Sequence, residues 1–296
     1  MTEVPMFQQY RGDGTTRDGR PAPTPGEQGL YLAAPDLVNA VNAALAVEQP
    51  LLVTGEAGTG KTVLAWSIAA ELALGEVEVF AVRSDHQGRD VLYEIDNLQR
   101  FYDAQVNDPE ARDRSNYLRR GPLGRAFVSE ARRLVLIDEI DKAPRDFPND
   151  LLHALDKMEL RVPELGLVET ARHRPVIVIT SNRESQLPDP FLRRCVFHHI
   201  EFPDRSQLRR ILVERLGHLR LAETLSDRIV DRFLELRGVD GLLKKPATSE
   251  MLTWARVLHA AQAADGDLAK DLRDLPYLNA LIKTREDMAR VKPSAA

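Results

Sequence analysis

Short runs of consecutive apolar residues alternate with helix-periodic segments through the first two thirds of the chain. Five runs are typical of buried strands: residues 51–54, 77–82, 134–137, 176–180 and 196–202. Apolar residues recur at helical spacing in residues 35–46, 63–74, 124–131 and 148–158. Apolar strands separated by helices predict a parallel sheet that is covered on both faces. We therefore expect an α/β fold with a five-stranded parallel sheet.

The pattern changes at about residue 204 and becomes helical throughout. The candidate helices are residues 206–218, 225–237, 249–264 and 268–282. At the other end, residues 1–29 are rich in Gly, Pro, Thr and mixed charges, so they have little to bury. We therefore predict a flexible tail over residues 1–29, an α/β core over 30–203 and an all-helical domain over 204–296.

Composition narrows the class of protein. Hydrophobic residues make up 43% of the 296 residues and charged residues 29%, which is ordinary for a soluble globular protein. The formal net charge of −5 argues against a broad basic surface for nucleic acid. The single cysteine, Cys195, cannot form an internal disulfide and is interpreted as a packed small residue. Without an apolar run of membrane-spanning length or a secretory signal, we expect a cytoplasmic protein with no membrane insertion.

One segment carries a specific chemical signal. Residues 55–62 fit the phosphate-loop pattern Gly-x-x-x-x-Gly-Lys-Ser/Thr between a predicted strand and a predicted helix. In such a loop the backbone N–H groups and the helix N-terminus face phosphate oxygens. Lysine then reaches the terminal phosphates and the hydroxyl holds Mg²⁺. The predicted nucleotide-binding residues are Gly55, Glu56, Ala57, Gly58, Thr59, Gly60, Lys61 and Thr62.

Polar residues that end two later strands extend this site. Asp138 and Glu139 follow the apolar run at 134–137, and Asn182 follows the run at 176–180. Strand ends of a parallel sheet meet at one edge, so these side chains are expected beside the phosphate loop. Asp138 is predicted to hold Mg²⁺ together with Thr62, and Glu139 to act as general base on water. Asn182 is predicted to orient that water or the γ-phosphate; alternatively it only begins a turn.

Two arginines, Arg193 and Arg194, precede the last strand. An arginine that reaches a transferring phosphoryl group stabilises its charge. Their late position in the chain suggests that they reach the nucleotide of a neighbouring subunit, with Arg194 slightly preferred. The alternative is a basic pair on the surface. His198 and His199 are adjacent on a strand and face opposite sides, so no metal site is predicted there.

Together these motifs resemble AAA+ ATPases, and within them the MoxR family, over about residues 31–261. The resemblance includes the phosphate loop, residues 120–124, the Asp138–Glu139 strand end, Asn182 and Leu187–Pro188 before the arginines. MoxR-like proteins carry an insertion after the second strand, here residues 90–118, and a hairpin before the fourth, here residues 160–168. The alternation of residues 160–168 around Gly166 also fits a hairpin.

The resemblance implies an AAA+ core with a helical lid, ATP and Mg²⁺ as ligands, and a homo-oligomer, usually a hexameric ring. It also implies remodelling of a protein partner, which in this family often carries a von Willebrand factor A domain. Two departures matter. Arg193 replaces an acid that often precedes the arginine, and Ala247 stands where the lid often carries an arginine. Lys245 or Lys244 is a candidate substitute, although a lysine lacks the guanidinium fork.

Two other functions remain open from the sequence. The first is a nucleic-acid motor or loader, since AAA+ proteins include such machines; the negative charge argues against it. The second is a nucleotide-gated binding module that rarely hydrolyses. The intact pair of Asp138 and Glu139 argues against that alternative.

Overall fold

The computed structural model describes residues 9–20, 31–182, 187–269 and 271–292. By its internal contacts the chain divides into two compact units. Of the described residues, 9–20, 31–55 and 61–200 form the first unit. Residues 56–60 and the described residues beyond 200 form the second. The tip of the predicted phosphate loop therefore groups with the second unit.

The described strands are β1 Leu51–Gly55, β2 Glu78–Ala81, β3 Tyr93–Ile95, β4 Leu118–Arg120, β5 Leu134–Asp138, β6 Glu159–Val162, β7 Leu167–Thr170, β8 Val176–Ser181 and β9 Val196–Ile200. The described α-helices are α1 Pro35–Val47, α2 Lys61–Glu71, α3 Asn97–Gln105, α4 Pro122–Val128, α5 Phe147–Lys157, α6 Asp189–Leu192, α7 Arg205–Leu216, α8 Glu223–Arg237, α9 Thr248–Ala260 and α10 Arg285–Val291.

A five-stranded sheet with the order β2-β5-β8-β1-β9 forms the centre of the first unit, and every neighbouring pair is parallel. The prediction of a parallel five-stranded sheet is confirmed. Successive residues of β5 enter different cores: Leu134 and Leu136 lie in one apolar cluster, Val135 and Ile137 in the other. Side chains alternate across a strand, so residues 134–137 of this interior strand are all apolar because both faces of the sheet are covered.

Two small antiparallel pairs branch from this unit. β6 and β7 form the predicted hairpin, with Gly166 at φ +62° in its turn. The segment interpreted as an insertion contains the pair β3–β4 and, between these strands, α3, a helix without a buried residue. Arg120 on β4 joins the two pairs through a forked contact with Glu169 on β7, with its shortest N–O distance at 2.7 Å.

The described part of the N-terminal segment differs from the flexible tail expected over residues 1–29. Tyr10 is 1% exposed, and its hydroxyl lies 2.8 Å from Ser67 Oγ on α2. The side chain of Asn42 accepts a hydrogen bond from Tyr10 N and donates one to Tyr10 O, both at 2.8 Å. The buried Glu71 accepts hydrogen bonds from the backbone N–H groups of Arg11 and Gly12. Tyr10 and Glu71 therefore anchor residues 10–12 on the first unit, although the composition around them is typical of a flexible tail.

The second unit is helical, as predicted. Its apolar core includes the fully buried Trp254, whose indole N–H donates to Pro276 O at 2.8 Å. The predicted helix over residues 268–282 is wrong, since the described residues there form short 3₁₀ turns. Pro276 lacks the N–H that a helix requires, and Tyr277 has a φ of +55°. The sequence pattern also missed α10.

Asp287 on α10 fixes the connection between α8 and α9. It is fully buried and accepts hydrogen bonds from Leu243 N at 2.7 Å and Lys244 N at 3.1 Å. Burial acts to raise the pKa of Asp287, but these N–H groups and Thr284 outweigh it and hold the pKa below its usual range. A buried acid thus sets the backbone that carries Lys244 and Lys245. Among the described residues, no helix has both the length and the apolar character needed to cross a bilayer.

Candidate active site

The phosphate-loop sequence forms the turn between β1 and α2 that its pattern predicts. Gly58 and Gly60 have φ values of +78° and +91°, which residues with a Cβ adopt only with strain. Lys61 begins α2, is 6% exposed and donates from Nζ to Gly55 O at 2.7 Å. Thr59 Oγ1 donates to Glu56 O at 2.9 Å. The loop therefore places a buried lysine at a helix N-terminus, where the helix dipole favours anions.

Asp138 lies at the carboxyl end of β5 and accepts hydrogen bonds from two hydroxyl groups. Thr62 Oγ1 donates to Asp138 Oδ1 at 3.0 Å. Thr180 Oγ1 donates to the same oxygen at 2.6 Å. The sheet order explains this arrangement, because β8 carries Thr180 and lies between β5 and β1. The structure thus brings the two residues predicted to hold the metal, Thr62 and Asp138, into direct contact.

Glu139 follows in a left-handed backbone conformation, with φ +59° and ψ +51°. Its N–H donates to Thr180 Oγ1 at 2.8 Å. Its carboxylate forms an ion pair with Lys142, and hydrogen bonding to Glu139 raises the pKa of Lys142. The predicted general base therefore has a sharply turned, hydrogen-bonded backbone and a partly exposed carboxylate with a cationic partner.

Thr180 is a site residue that sequence reasoning missed. It is fully buried, and its one hydroxyl serves Asp138 as donor and Glu139 N–H as acceptor. The apolar run at 176–180 was interpreted only as a strand leading to Asn182. The available signal was a hydroxyl at the end of an otherwise apolar strand, because a buried hydroxyl requires a partner.

Asn182 follows β8 and is exposed. Its backbone N–H donates to Asp141 Oδ1 at 2.9 Å. Asp141 belongs to the turn after Asp138 and Glu139, so Asn182 is tied to the loop that carries the acids. The role of its side chain stays a prediction.

The two arginines differ in their surroundings. Arg194 Nε lies 2.7 and 2.9 Å from the carboxylate oxygens of Asp156 on α5, and Nη1 donates to Pro190 O at 2.8 Å. Hydrogen bonding to Arg194 lowers the pKa of Asp156. Arg193 is exposed. The structure therefore engages the preferred finger residue, Arg194, with an acid of its own chain.

Within the second unit, a cation that the sequence interpretation overlooked contacts the phosphate loop. Lys244 and Lys245, the lysines suggested for the lid, are exposed. Arg237, the last residue of α8, donates from Nη2 to Glu56 Oε2 at 2.7 Å. Its position ten residues before Ala247 gave no motif by which it could be found. The binding role of Lys245 stays a prediction.

The remaining candidates show no sign of chemistry. Burial raises the pKa of the Cys195 thiol to about 12, so it stays protonated at neutral pH. Burial lowers the pKa of His198. His199 Nδ1 lies 3.0 Å from Thr54 Oγ1. Cys195 and His198 are therefore partly buried, whereas His199 is exposed on the edge strand β9.

The residues at the strand ends fit a magnesium ion and a polyphosphate. Thr62 and Asp138 supply a hydroxyl and a carboxylate at hydrogen-bonding distance, and Mg²⁺ prefers such hard oxygen ligands. Lys61 and the N-terminus of α2 supply positive charge for phosphate. Glu139 adds an acid next to the metal ligand. This set of side chains is suited to phosphoryl transfer to water.

Comparison with known proteins agrees with this geometry. Residues 50–195 match the family described as AAA domain (dynein-related subfamily). Two solved structures of RuvB mutants from Thermotoga maritima have the same fold. Their TM-scores are 0.52 and 0.50 at 18% and 16% sequence identity, and each match covers 82% of this chain and 67% of the RuvB chain. At such low identity the likeness concerns the fold alone.

No curated protein sequence matches this chain significantly. The MoxR assignment therefore stays a prediction from the motifs. The matched range begins at Pro50 and ends at Cys195, and it contains the phosphate loop, the acids of β5 and both candidate finger arginines. Residues 50–195 of this chain thus match the AAA domain model, and the five-stranded parallel sheet that they help to form has the AAA+ P-loop fold.

Proposed function

We propose that this chain is a Mg²⁺-dependent ATPase that converts ATP and water to ADP and phosphate. The observation that carries the proposal is the contact of Asp138 with the hydroxyl groups of Thr62 and Thr180. Glu139 follows Asp138 directly, and Lys61 is the first residue of α2. A structural turn would not need a buried hydroxyl to hold two consecutive acidic residues. Phosphoryl transfer needs these groups at one edge of the sheet.

Binding uses the loop and the strand end. The N–H groups of residues 55–60 and the Lys61 ammonium bind phosphate oxygens, and Thr62 and Asp138 hold Mg²⁺. The ion supplies positive charge at the β- and γ-phosphates when it is bound. Thr180 keeps the Asp138 carboxylate oriented.

The chemical step uses Glu139 as general base. Its carboxylate accepts a proton from water as the water oxygen bonds to the γ-phosphorus. The bond from that phosphorus to the β,γ-bridging oxygen breaks, and ADP leaves with the electron pair. Glu139 must first release Lys142, because the ion pair occupies the carboxylate that is to accept the proton. Asn182 orients the water.

The arginine that completes the site comes from a neighbouring copy in a homo-oligomeric ring, which we expect to be hexameric. Arg194 is our candidate, with Arg193 as the alternative. To act on a phosphate of the next subunit, Arg194 must exchange Asp156 for the nucleotide. Both side chains are more than a third exposed, so solvent screens the pair and this exchange has a small cost.

We further propose that hydrolysis drives remodelling or maturation of a protein partner, as in MoxR-like proteins, with a von Willebrand factor A domain protein as a candidate. The support is the motif resemblance and the helical second unit. A nucleic-acid motor is the alternative, and the likeness to RuvB concerns the fold alone. The net charge of −5 argues against it.

The test compares purified wild type, Glu139→Gln and the control Glu110→Gln, an exposed acid outside the proposed site. We expect Mg²⁺-dependent phosphate release from ATP by wild type and Glu110→Gln. Glu139→Gln should bind ATP with unchanged affinity and release no phosphate above background. Undiminished hydrolysis by Glu139→Gln would refute the role of Glu139. A wild type that binds nucleotide but does not hydrolyse it would favour a nucleotide-gated binding module.

Partner and assembly are tested with the same variant. Glu139→Gln with ATP should capture a protein partner that is released with ADP, and light scattering should report a ring in ATP. Mixed Arg194→Ala and Glu139→Gln subunits should regain some activity at shared interfaces. Stimulation of wild-type turnover by DNA or RNA, and not by protein, would favour the motor instead.

A further inference from the structure

Arg237 is held on three sides within the second unit. Its side chain is 9% exposed. Nη2 contacts Glu56 Oε2 at 2.7 Å, Nη1 donates to Pro246 O, and the guanidinium carbon lies 3.4 Å from the ring centroid of Phe202. A guanidinium that stacks on an aromatic ring and donates from both ends has one defined orientation. Its only acidic contact among these three is Glu56, at the second position of the phosphate loop.

The loop tip has a second, independent contact in the same unit. A Cβ on Gly58 would lie 2.5 Å from Ala247 Cβ and 3.5 Å from Thr248 N. The tip therefore lies directly against the start of α9, where only a glycine on one side and a small residue on the other can fit. Ala247, which departs from the arginine of related lids, is the small residue that this contact requires.

The charge of Glu56 creates a problem for a phosphate site. A carboxylate in this loop repels the phosphates that the loop N–H groups are expected to bind. Arg237 offsets this charge through a charge-assisted hydrogen bond. We propose that Arg237 is a positioning residue of the phosphate loop, which pairs with Glu56 and so allows the loop to bind a nucleoside di- or triphosphate. The inference rests on the proposed nucleotide site.

The proposal predicts a specific pattern of suppression. R237A removes this cation and leaves the negative charge of Glu56 in the loop without it. E56Q removes the carboxylate, so the loop no longer needs the cation. The loss in R237A should therefore disappear when E56Q is added, because two residues in one contact are not independent. A merely structural role of Arg237 would not be cancelled by E56Q.

The experiment is a titration of the full chain with a fluorescent ADP analogue and Mg²⁺. R237A should raise the dissociation constant about tenfold, within the range of coupling between contacting groups. E56Q and the double variant E56Q/R237A should agree within about twofold. R228A is the control, since Arg228 lies on the same helix and pairs with Asp265 at 3.3 Å. It should leave the dissociation constant unchanged.

Each outcome decides the proposal. R237A with wild-type affinity, or a double variant as weak as R237A, would overturn it. If R237A does not fold, R237K replaces it: it should weaken binding in the wild-type background and leave binding unchanged in the E56Q background. Equal losses in both backgrounds would overturn the proposal. A wild type that binds no nucleotide would refute the proposed function itself, whereas nucleotide binding by wild type with no effect of R237A would refute only this inference.

Discussion

Asp138 and Arg194 are two charged groups with roles in the proposed hydrolysis, and the first unit holds them in different ways. Asp138 accepts hydrogen bonds from the neutral hydroxyls of Thr62 and Thr180. Arg194 pairs with another charge, Asp156, and both side chains are partly exposed. Hydroxyl donors orient the Asp138 carboxylate and leave its negative charge available for a cation. The charge of Arg194 is already neutralised, so it must change partners before it acts on phosphate.

Among the variants that test this comparison, the largest effect is expected from removing Arg194. Arg194→Ala should lower turnover by about 10³-fold, as for arginine fingers in GTPases, with nucleotide affinity retained. Arg194→Lys should not restore turnover, because lysine lacks the fork. Arg193→Ala is the matched control and should stay within a few-fold of wild type. Phosphate release and nucleotide titration measure both quantities. A larger loss in Arg193→Ala would assign the finger to Arg193.

Removing the Thr180 hydroxyl, which donates to Asp138, should have the next largest effect. Thr180→Val keeps the shape and deletes the donor to Asp138 and the acceptor for Glu139 N–H. We expect turnover to fall about 10- to 100-fold, as for residues that orient metal ligands. The free energy of unfolding should fall by about 1–3 kcal/mol, because a buried N–H loses its partner.

Thr180→Ser is the matched variant, since it retains the hydroxyl. It should keep most of the turnover and require no more Mg²⁺ for half-maximal activity than wild type. Thr180→Val should require more Mg²⁺. Equal Mg²⁺ requirements in all three proteins would contradict the orienting role of Thr180.

A smaller effect is expected from replacing Asp156, the partner of Arg194. Asp156→Asn removes the charge that Arg194 must leave, so turnover should rise, by no more than about fivefold for an exposed pair. Added salt screens exposed charges and should reduce this difference. Steady-state phosphate release at low and high salt measures it. A fall in turnover would mean that Asp156 orients Arg194 and does not compete for it.

The smallest effect is the pH dependence of the stability that the Arg194–Asp156 pair contributes. The hydrogen bond from Arg194 holds the pKa of Asp156 below its usual value. The pair therefore contributes stability above the unfolded pKa of about 3.9, and the contribution is lost as pH falls through the lower folded value. Wild type should melt slightly higher than Asp156→Asn at pH 7, and the two should converge in acid. A difference that persists at pH 2 would contradict this origin.

The sequence was most informative where a function is encoded in consecutive residues. The phosphate loop and the pair Asp138–Glu139 are local patterns next to apolar strands, so their place at the sheet edge was predictable, while their chemistry stays a prediction. The five parallel strands were predictable from runs of consecutive apolar residues, because a strand that is covered on both faces of the sheet is apolar at consecutive positions. Thr180 and Asp156 were not predicted, because each acts on a partner about 40 residues away.

Arg237 was missed for a related reason. Its contact with Glu56 spans 181 residues, and nothing near Arg237 in the sequence marks it. The predicted helix over residues 268–282 failed because apolar spacing was counted without regard to Pro276. For the described residues 9–20 the tail prediction missed the anchoring of residues 10–12, because the average composition of residues 1–29 hides Tyr10; the rest of that range lies outside the described residues.

The anchoring of Tyr10 on α2 has a practical consequence for anyone who shortens this protein. A version starting at residue 31 would keep every motif and look like a complete domain. It would nevertheless remove an aromatic side chain that is 1% exposed and the two backbone donors that satisfy the buried Glu71. Glu71, at the opposite end of α2 from the phosphate loop, would then lose both of these donors. Weak nucleotide affinity in such a shortened protein would reflect a damaged helix, and would say nothing about the loop.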